Sequence, residues 1–202
     1  MGIRDRISAL GRRSPSPHDG ILEHYRAYWG ADRVEVVHWT PERIAERLPD
    51  FHIAKIRPAG SDVAWIFASI GAWRTTADER RGLEFVVVSR DESEAVMSRL
   101  AEIAYYHAGP PENRLGAGHT ASIGEAWVEG SALGSILVSL PYVWRQKLEH
   151  CSLPDRHVQV LWVVPITSAE HQFAREHGVD ALWTRFEEAH LDYVDPFRAS
   201  VV

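Results

Sequence analysis

Apolar and polar positions along the chain form short runs of strand character separated by segments of helical periodicity. The clearest run begins at Val158 and continues through residues 160–164. A short apolar run with little polar alternation is typical of a strand buried on both faces. We expect Pro165 to end this strand, because proline lacks the N–H group that a central ladder needs.

Two segments of helical periodicity follow this strand. Ser168 is the expected N-cap of the first helix, with Glu170 in its first turn and Gly178 at its end. Asp180 is the expected N-cap of the second helix. The apolar side of that second helix is formed by Leu182, Trp183 and Phe186. A central strand that leads into two capped helices predicts the middle of the hydrophobic core.

The rest of the chain predicts an irregular alternation of helices and strands. A helix capped by Asp91 and ended by Gly109 has a buried stripe at helical spacing, which includes Ile103. Residues 112–134 show the least regular pattern. Further helices are expected at 18–30 and 41–48, strands at 33–39, 51–56, 62–70, 83–89 and 135–140, and a loop or short helix at 142–155.

This order of elements predicts an α/β fold, in which a single domain contains a mixed β-sheet flanked by helices. We expect residues 1–17 to form a disordered basic leader, residues 18–196 to form the domain and residues 197–202 to form a tail. The chain has 202 residues, which is enough for a substantial core.

Charge restricts the class of partner. The net charge is −6, and the first twenty residues contain four arginines and two aspartates, so the remainder carries −8. A body this acidic is a poor general binder of nucleic-acid phosphates, so no nucleic-acid partner is expected. It suits a basic protein partner.

Cysteine content and hydropathy point to the cytoplasm. Cys151 is the only cysteine, so no internal disulfide can form, which fits a reducing compartment. No apolar stretch approaches the ~20 residues that a membrane span needs, and the N-terminus has no apolar region of a secretory signal. We therefore expect no membrane association.

The histidines do not form a recognisable metal motif. His171 and His177 are six residues apart, whereas a zincin needs two histidines four apart on a helix. His150, Cys151 and His157 could cluster, but adjacent residues rarely point to one tetrahedral ion. No nucleophile elbow or phosphate-binding loop occurs either. We therefore expect no metal, no cofactor and no catalytic residue.

Eight tryptophans are unusual for this length. Trp65 and Trp162 lie in predicted strands and are expected in the core. Trp73, Trp127 and Trp144 lie in predicted loops. Loop aromatics can contact a protein partner or can cover the ends of the sheet, and both interpretations remain open.

Several stretches, taken in order, resemble the suppressor of fused family over roughly residues 20 to 190. In animal members of that family, Gly-Asp-His stands where this chain has Ala117, Gly118 and His119, so that Gly118 replaces the acid. An aromatic residue of the family aligns near Ile103. The stretches that carry the resemblance are 25–30 (YRAYWG), 62–71 (DVAWIFASIG), 82–85 (GLEF), 96–101, 118–119 and 158–182.

The resemblance implies one α/β sandwich-like domain and a non-enzymatic binding protein. Animal members have an additional C-terminal domain and hold an extended peptide of a zinc-finger transcription factor by strand addition. Single-domain bacterial members resemble immunity proteins that neutralise polymorphic toxins. The replacement at Gly118 argues against the animal partner, but not against the fold or a binding role.

Three hypotheses about function follow. The leading one is an immunity protein that binds a basic toxin domain directly. The second is a regulatory scaffold that sequesters an extended peptide of a cellular protein. The third is a metal-dependent hydrolase that uses His119, Glu125 and Glu129. The candidate partner-binding residues are Ile103, Gly118, His119, Trp73, Trp127 and Trp144.

Overall fold

A computed structural model describes residues 16–39, 42–74 and 81–202. The described residues form six α-helices and an eight-stranded mixed sheet. The helices are α1 Pro17–Trp29, α2 Glu42–Ala45, α3 Glu94–His107, α4 Arg145–Glu149, α5 Ser168–His177 and α6 Val179–Glu188. The strands are β1 Val34–His38, β2 His52–Ile56, β3 Trp65–Ile70, β4 Arg81–Ser89, β5 Thr120–Ser122, β6 Leu133–Ser139, β7 His150–Ser152 and β8 His157–Thr167.

The sheet has the strand order β1-β2-β3-β4-β8-β6-β5, and β7 pairs with β8 outside this path. Strands β1 to β4 are antiparallel neighbours, β4 and β8 are parallel, and β6 and β5 continue in antiparallel pairing. Helices α1, α4, α5 and α6 pack on one face of the sheet, and α2 and α3 pack on the other. The predicted α/β fold with a mixed sheet flanked by helices is therefore confirmed.

Strand β8 lies in the middle of the sheet, as predicted, but it continues through Pro165 to Thr167. The prediction that Pro165 ends the strand was wrong. The described pairing with β4 ends at Trp162, whereas the pairing with β6 continues beyond it. Arg198 donates a hydrogen bond to the Pro165 carbonyl, so the backbone of Pro165 points away from β6. The missing N–H therefore faces a side where no ladder bond is required.

Three predicted helix caps are displaced by one or two residues. The N-cap of α5 is Thr167 rather than Ser168, and Glu170 completes a capping box with it. Ser93 rather than Asp91 caps α3, and Gly178 rather than Asp180 precedes α6. Helix termini are the least reliable part of a sequence pattern, since a cap is defined by local backbone angles.

Two short strands lie in segments for which the sequence predicted no strand. Strand β5 falls within residues 112–134, and β7 falls within residues 142–155. Each has three residues, which is too short to show an alternating pattern. Their pairing with β6 and β8 depends on contacts that local sequence does not encode.

Residues 197–202, predicted as a tail, lie against α5 and β8. Arg198 pairs with the buried Glu170, and the Val201 N–H also donates to that carboxylate. Of the predicted leader 1–17, residues 1–15 lie outside the described residues, while Ser16 caps α1. No helix in the described part of the chain is long and apolar enough to cross a membrane.

Candidate functional site

Within the described residues, strand β5 forms one end of the sheet and has β6 as its single neighbour. The Val138 N–H donates to the His119 carbonyl at 2.8 Å, and the Ile123 N–H donates to the Gly134 carbonyl at 3.1 Å. Residues 119 and 123 therefore turn their backbones toward β6. Because backbone direction alternates along a strand, Thr120 and Ser122 point their N–H and C=O groups away from β6. These groups can pair with another strand.

A cleft of about 520 Å³ lies beside this edge, between α2, α3 and β5. We call it the α3 cleft. Its walls combine apolar side chains from both the sheet and the helices with aromatic and charged side chains. The apolar residues are Ile44, Ala101, Ile103, Ala121, Ile123 and Ile136. The aromatic residues are Trp39, Tyr105 and Tyr106. An apolar cleft with a few polar groups is the form that binding sites usually take.

One wall of the α3 cleft is held by Arg99. Its guanidinium contacts Glu102 at 2.6 Å and Glu125 at 2.8 Å, and it also donates to the Trp127 carbonyl at 3.4 Å. The first contact is within α3, and the other two reach the loop after β5. Arg99 therefore connects the helix to the loop, and its single positive charge is shared by two carboxylates.

The opposite wall carries two arginines, which we call the arginine pair, Arg43 and Arg47. Both guanidinium groups lie over the ring of Tyr105, with their central carbons 5.1 and 4.1 Å from the ring centre. Both arginine side chains are exposed. In the part of the chain that the structure describes, no carboxylate oxygen lies within 4.0 Å of a nitrogen of either guanidinium group.

His107 fixes the turn that leads from α3 toward β5. It is fully buried, and its Nδ1 accepts a hydrogen bond from the Leu115 N–H at 2.9 Å. Burial, with a smaller effect of the nearby Arg114, lowers the pKa of His107 to about 4. The imidazole is therefore neutral at physiological pH and acts as a buried acceptor.

The sequence-predicted candidates divide between the two faces of the sheet. Ile103 lines the α3 cleft, and Gly118 and His119 are exposed directly before β5. Gly118 has a φ of +85°, which favours glycine at this position. Trp127 is buried on the same side of the sheet, and its carbonyl accepts the bond from Arg99.

Trp73 and Trp144 lie on the other side of the sheet. Trp73 is buried, and Trp144 is half-buried, with its ring 6.4 Å from Trp29 and 5.6 Å from Trp162 in edge-to-face contacts. The structure therefore does not bring these two tryptophans to the α3 cleft.

The arginine pair was not singled out from the sequence, although a signal was present. Arg43 and Arg47 are four residues apart, and helical hydrogen bonds continue beyond α2 to Leu48. That spacing places both side chains on one face. Their common contact with Tyr105 could not be read from the spacing, since Tyr105 lies on a different helix.

Of the three residues considered as a possible metal cluster, two histidines meet and the cysteine does not join them. His150 and His157 lie on one side of the sheet with Nδ1 and Nε2 3.2 Å apart, whereas Cys151 is buried. Burial, with a smaller effect of Glu84, raises the pKa of the Cys151 thiol to about 11. Among the described residues, no group of three or more His, Cys, Asp or Glu side chains is placed to hold a metal ion.

Comparison with known proteins gives consistent matches. The profile of the family described as Suppressor of fused protein (SUFU) matches residues 49–199. A SUFU homolog from Neisseria gonorrhoeae FA 1090 has 34% sequence identity and a TM-score of 0.78, over 92% of this chain and 97% of the other. These two findings cover most of the chain.

More distant structures share the fold. Drosophila Suppressor of Fused matches with a TM-score of 0.72 and 15% identity, over 93% of this chain and 52% of the other. A chain of the Sufu-Fu complex matches with a TM-score of 0.71 and 14% identity, over 94% and 93%.

A curated relative matches over a shorter segment. Immunity protein YqcF from Bacillus subtilis (strain 168) is 36% identical over 62 residues, which are 31% of this chain and 32% of that protein. The match therefore spans about a third of the relative's length.

Proposed function

The chain belongs to the suppressor of fused family, and we propose that it is a non-enzymatic protein-binding module that acts as an immunity protein. In this proposal it neutralises a toxin domain by binding it directly in the cytoplasm. The segment shared with Immunity protein YqcF supports the immunity role. The presence of this fold in the Sufu-Fu complex supports binding to a protein.

The observation that carries the proposal is the open edge of β5 beside the α3 cleft. No other strand of the described residues pairs with the outward backbone groups of Thr120 and Ser122, so a partner strand can extend the sheet at this edge. Alternate side chains of such a strand would point into the cleft, where the apolar wall includes Ile103 and Ile123. Gly118 and His119 lie next to this edge, and we retain them with Ile103 as candidate contacts. Trp73, Trp127 and Trp144 remain candidates only in a supporting role.

Overall charge supports a basic partner. The net charge of −6 would attract a basic toxin domain over long range and raise the association rate at low salt. Local strand pairing at β5 would then determine the orientation of the bound toxin domain. These are separate contributions, because long-range attraction is screened by salt and backbone pairing is not.

The test is a pull-down from the native host with the intact chain, at low and at high salt, followed by mass spectrometry. We expect recovery of a basic toxin domain, with slower association at high salt. Purified toxin would then be assayed for loss of activity on addition of the chain. A recovered toxin that binds but stays fully active would contradict the immunity role.

The second candidate, a scaffold that sequesters an extended peptide, is favoured by the same edge, since a short strand suffices to fill it. A cellular regulator that is recovered in the pull-down and that binds through a short linear segment would support this alternative. The metal-dependent hydrolase has no comparable support, because Glu125 is held by Arg99 and the described residues present no metal-binding group.

A further inference from the structure

The arginine pair has a chemical character that differs from the rest of the α3 cleft. Arg99 on the opposite wall already has two carboxylate partners, Glu102 and Glu125. Arg43 and Arg47 lie on the face of Tyr105 instead, where an aromatic ring holds a guanidinium plane without using its N–H donors. The donors of the pair are therefore available to a ligand.

Only one donor of the pair has a partner within the described residues. Arg47 Nη1 lies 3.5 Å from the Tyr105 carbonyl, near the C-terminus of α3, where a cation is favourable. A guanidinium has five N–H donors, so this long contact leaves most of them free. Stabilisation of the helix end accounts for Arg47 in part, but it does not account for Arg43 over the same ring.

We propose that Arg43 and Arg47 select a partner segment that carries an aspartate or glutamate side chain. The inference rests on the proposed function, because the segment is the strand that pairs with β5. The apolar wall of the cleft would take the apolar side chains of this strand, and the arginine pair would take a carboxylate at its rim. Guanidinium groups bind carboxylates through two parallel hydrogen bonds, which makes the contact specific as well as strong.

This selection works against the overall charge of the chain. The net charge of −6 disfavours an acidic partner at long range. An acidic side chain is therefore favoured only where it reaches the arginine pair. A partner that is basic overall, with one acidic residue in the strand that enters the cleft, satisfies both requirements, and the arginine pair then determines the register of that strand.

The probe for the test is a displayed library of random twelve-residue peptides, selected against the intact chain. The same selection is made with the double variant Arg43→Gln/Arg47→Gln and with the control Arg175→Gln. Arg175 is exposed on α5, on the opposite face of the sheet. Thermal unfolding of all three proteins checks that the substitutions leave the fold intact. Selected peptides are kept if they shift the backbone amide resonances of Thr120 and Ser122.

We expect the peptides selected against the unchanged chain and against Arg175→Gln to have an acidic residue at one common position. Peptides selected against the double variant should lack this common acid. Replacing that acid by glutamine in the peptide should weaken binding to the unchanged chain by roughly tenfold or more, because the arginine pair then loses its charged acceptor. The same replacement should have little effect on binding to the double variant.

The outcomes separate the two proposals. The role of the arginine pair is overturned if peptides that shift the β5 amides share no acidic position. It is also overturned if the peptides selected against the double variant keep that acid. In both cases strand addition at β5 still holds. If no selected peptide shifts these amides, strand addition at β5 fails, and the inference fails with it. The variant Arg43→Lys/Arg47→Lys, which keeps both charges, should retain only part of the selectivity.

Discussion

Arg198 and Glu170 form a buried, bidentate ion pair that connects the C-terminal segment to α5. The guanidinium donates to both carboxylate oxygens, at 2.7 and 2.8 Å. The same carboxylate accepts the N–H groups of Thr167 and Val201, and Arg198 also donates to the Pro165 carbonyl. Burial alone would raise the pKa of Glu170, but these hydrogen bonds and the charge of Arg198 hold that pKa below its usual value.

Replacing one partner of this pair should strongly destabilise the fold. Arg198→Met leaves a buried carboxylate without its cation, so we expect a loss of about 3–5 kcal/mol in the free energy of unfolding. The double variant Arg198→Met/Glu170→Gln should lose less than the sum of the single variants. Urea unfolding at pH 7 measures both. Additive losses would mean that the two side chains contribute independently.

Acid sensitivity between pH 6.5 and pH 4 should arise in part from His107. Its pKa is lowered to about 4 in the folded protein, so the unfolded chain binds a proton first as the pH falls below 6.5. Stability from this residue is complete above pH 6.5 and declines by about 1.4 kcal/mol per pH unit down to about pH 4. His107→Asn keeps an acceptor for the Leu115 N–H and should remove this decline. Urea unfolding at pH 7, 6 and 5 tests it; an unchanged slope in the variant would refute the assignment.

Glu84 should give stability the opposite dependence on pH. Burial raises its pKa to about 7, although it accepts hydrogen bonds from the Ser69 hydroxyl and from the Gly71 N–H at 2.7 Å. Because the folded protein then holds this proton more tightly than the unfolded chain, the contribution of Glu84 to stability is fully present below its unfolded pKa of about 4.5 and is lost as the pH rises to about 7. Glu84→Gln should flatten this part of the profile.

The variants of His107 and Glu84 therefore provide controls for each other. We compare each variant with the unchanged chain by the difference in the free energy of unfolding. As the pH falls from 6.5 to 5, this difference should shift in favour of His107→Asn and against Glu84→Gln. Shifts of both variants in the same direction would show that one of the two pKa directions is wrong.

Partner binding should depend on the outward N–H of Ser122. Ser122→Pro removes this donor from the open edge, and the pairing of β5 with β6 does not use it. We expect a loss of partner affinity of roughly tenfold, which corresponds to one or two hydrogen bonds. Ser122→Ala is the matched control, since it removes the hydroxyl and keeps the N–H. Equal affinity of both variants would place the binding surface elsewhere.

Much of the fold is predictable because its elements have strong local patterns. Strands β3, β4 and β8 are apolar runs, and α3 shows a buried stripe that includes Leu100 and Ile103. The expectation for Pro165 was wrong because it assumed that β8 has ladder partners on both sides along its full length. The described pairing with β4 stops at Trp162, and no local pattern reports where a neighbouring strand ends.

The residues of the candidate site were harder to predict from the sequence than the fold was. Ile103, Gly118 and His119 were identified through a family resemblance, and the structure places them at or beside one cleft. Trp73 and Trp144 were chosen because they lie in predicted loops, and a loop position does not show on which face of a sheet a side chain lies. They lie on the opposite side.

By itself, the sequence determined the α/β class, the central position of β8, the helix that ends before Gly178 and the family resemblance. These follow from local hydrophobic periodicity, capping residues and segment order, all of which are properties of neighbouring residues. Only the tertiary structure decided that β5 is the last strand of the described sheet, that Arg43 and Arg47 share the ring of Tyr105 and that Arg198 meets Glu170. These relationships join residues far apart in the chain, and they depend on strand register and on which face of the sheet each helix covers.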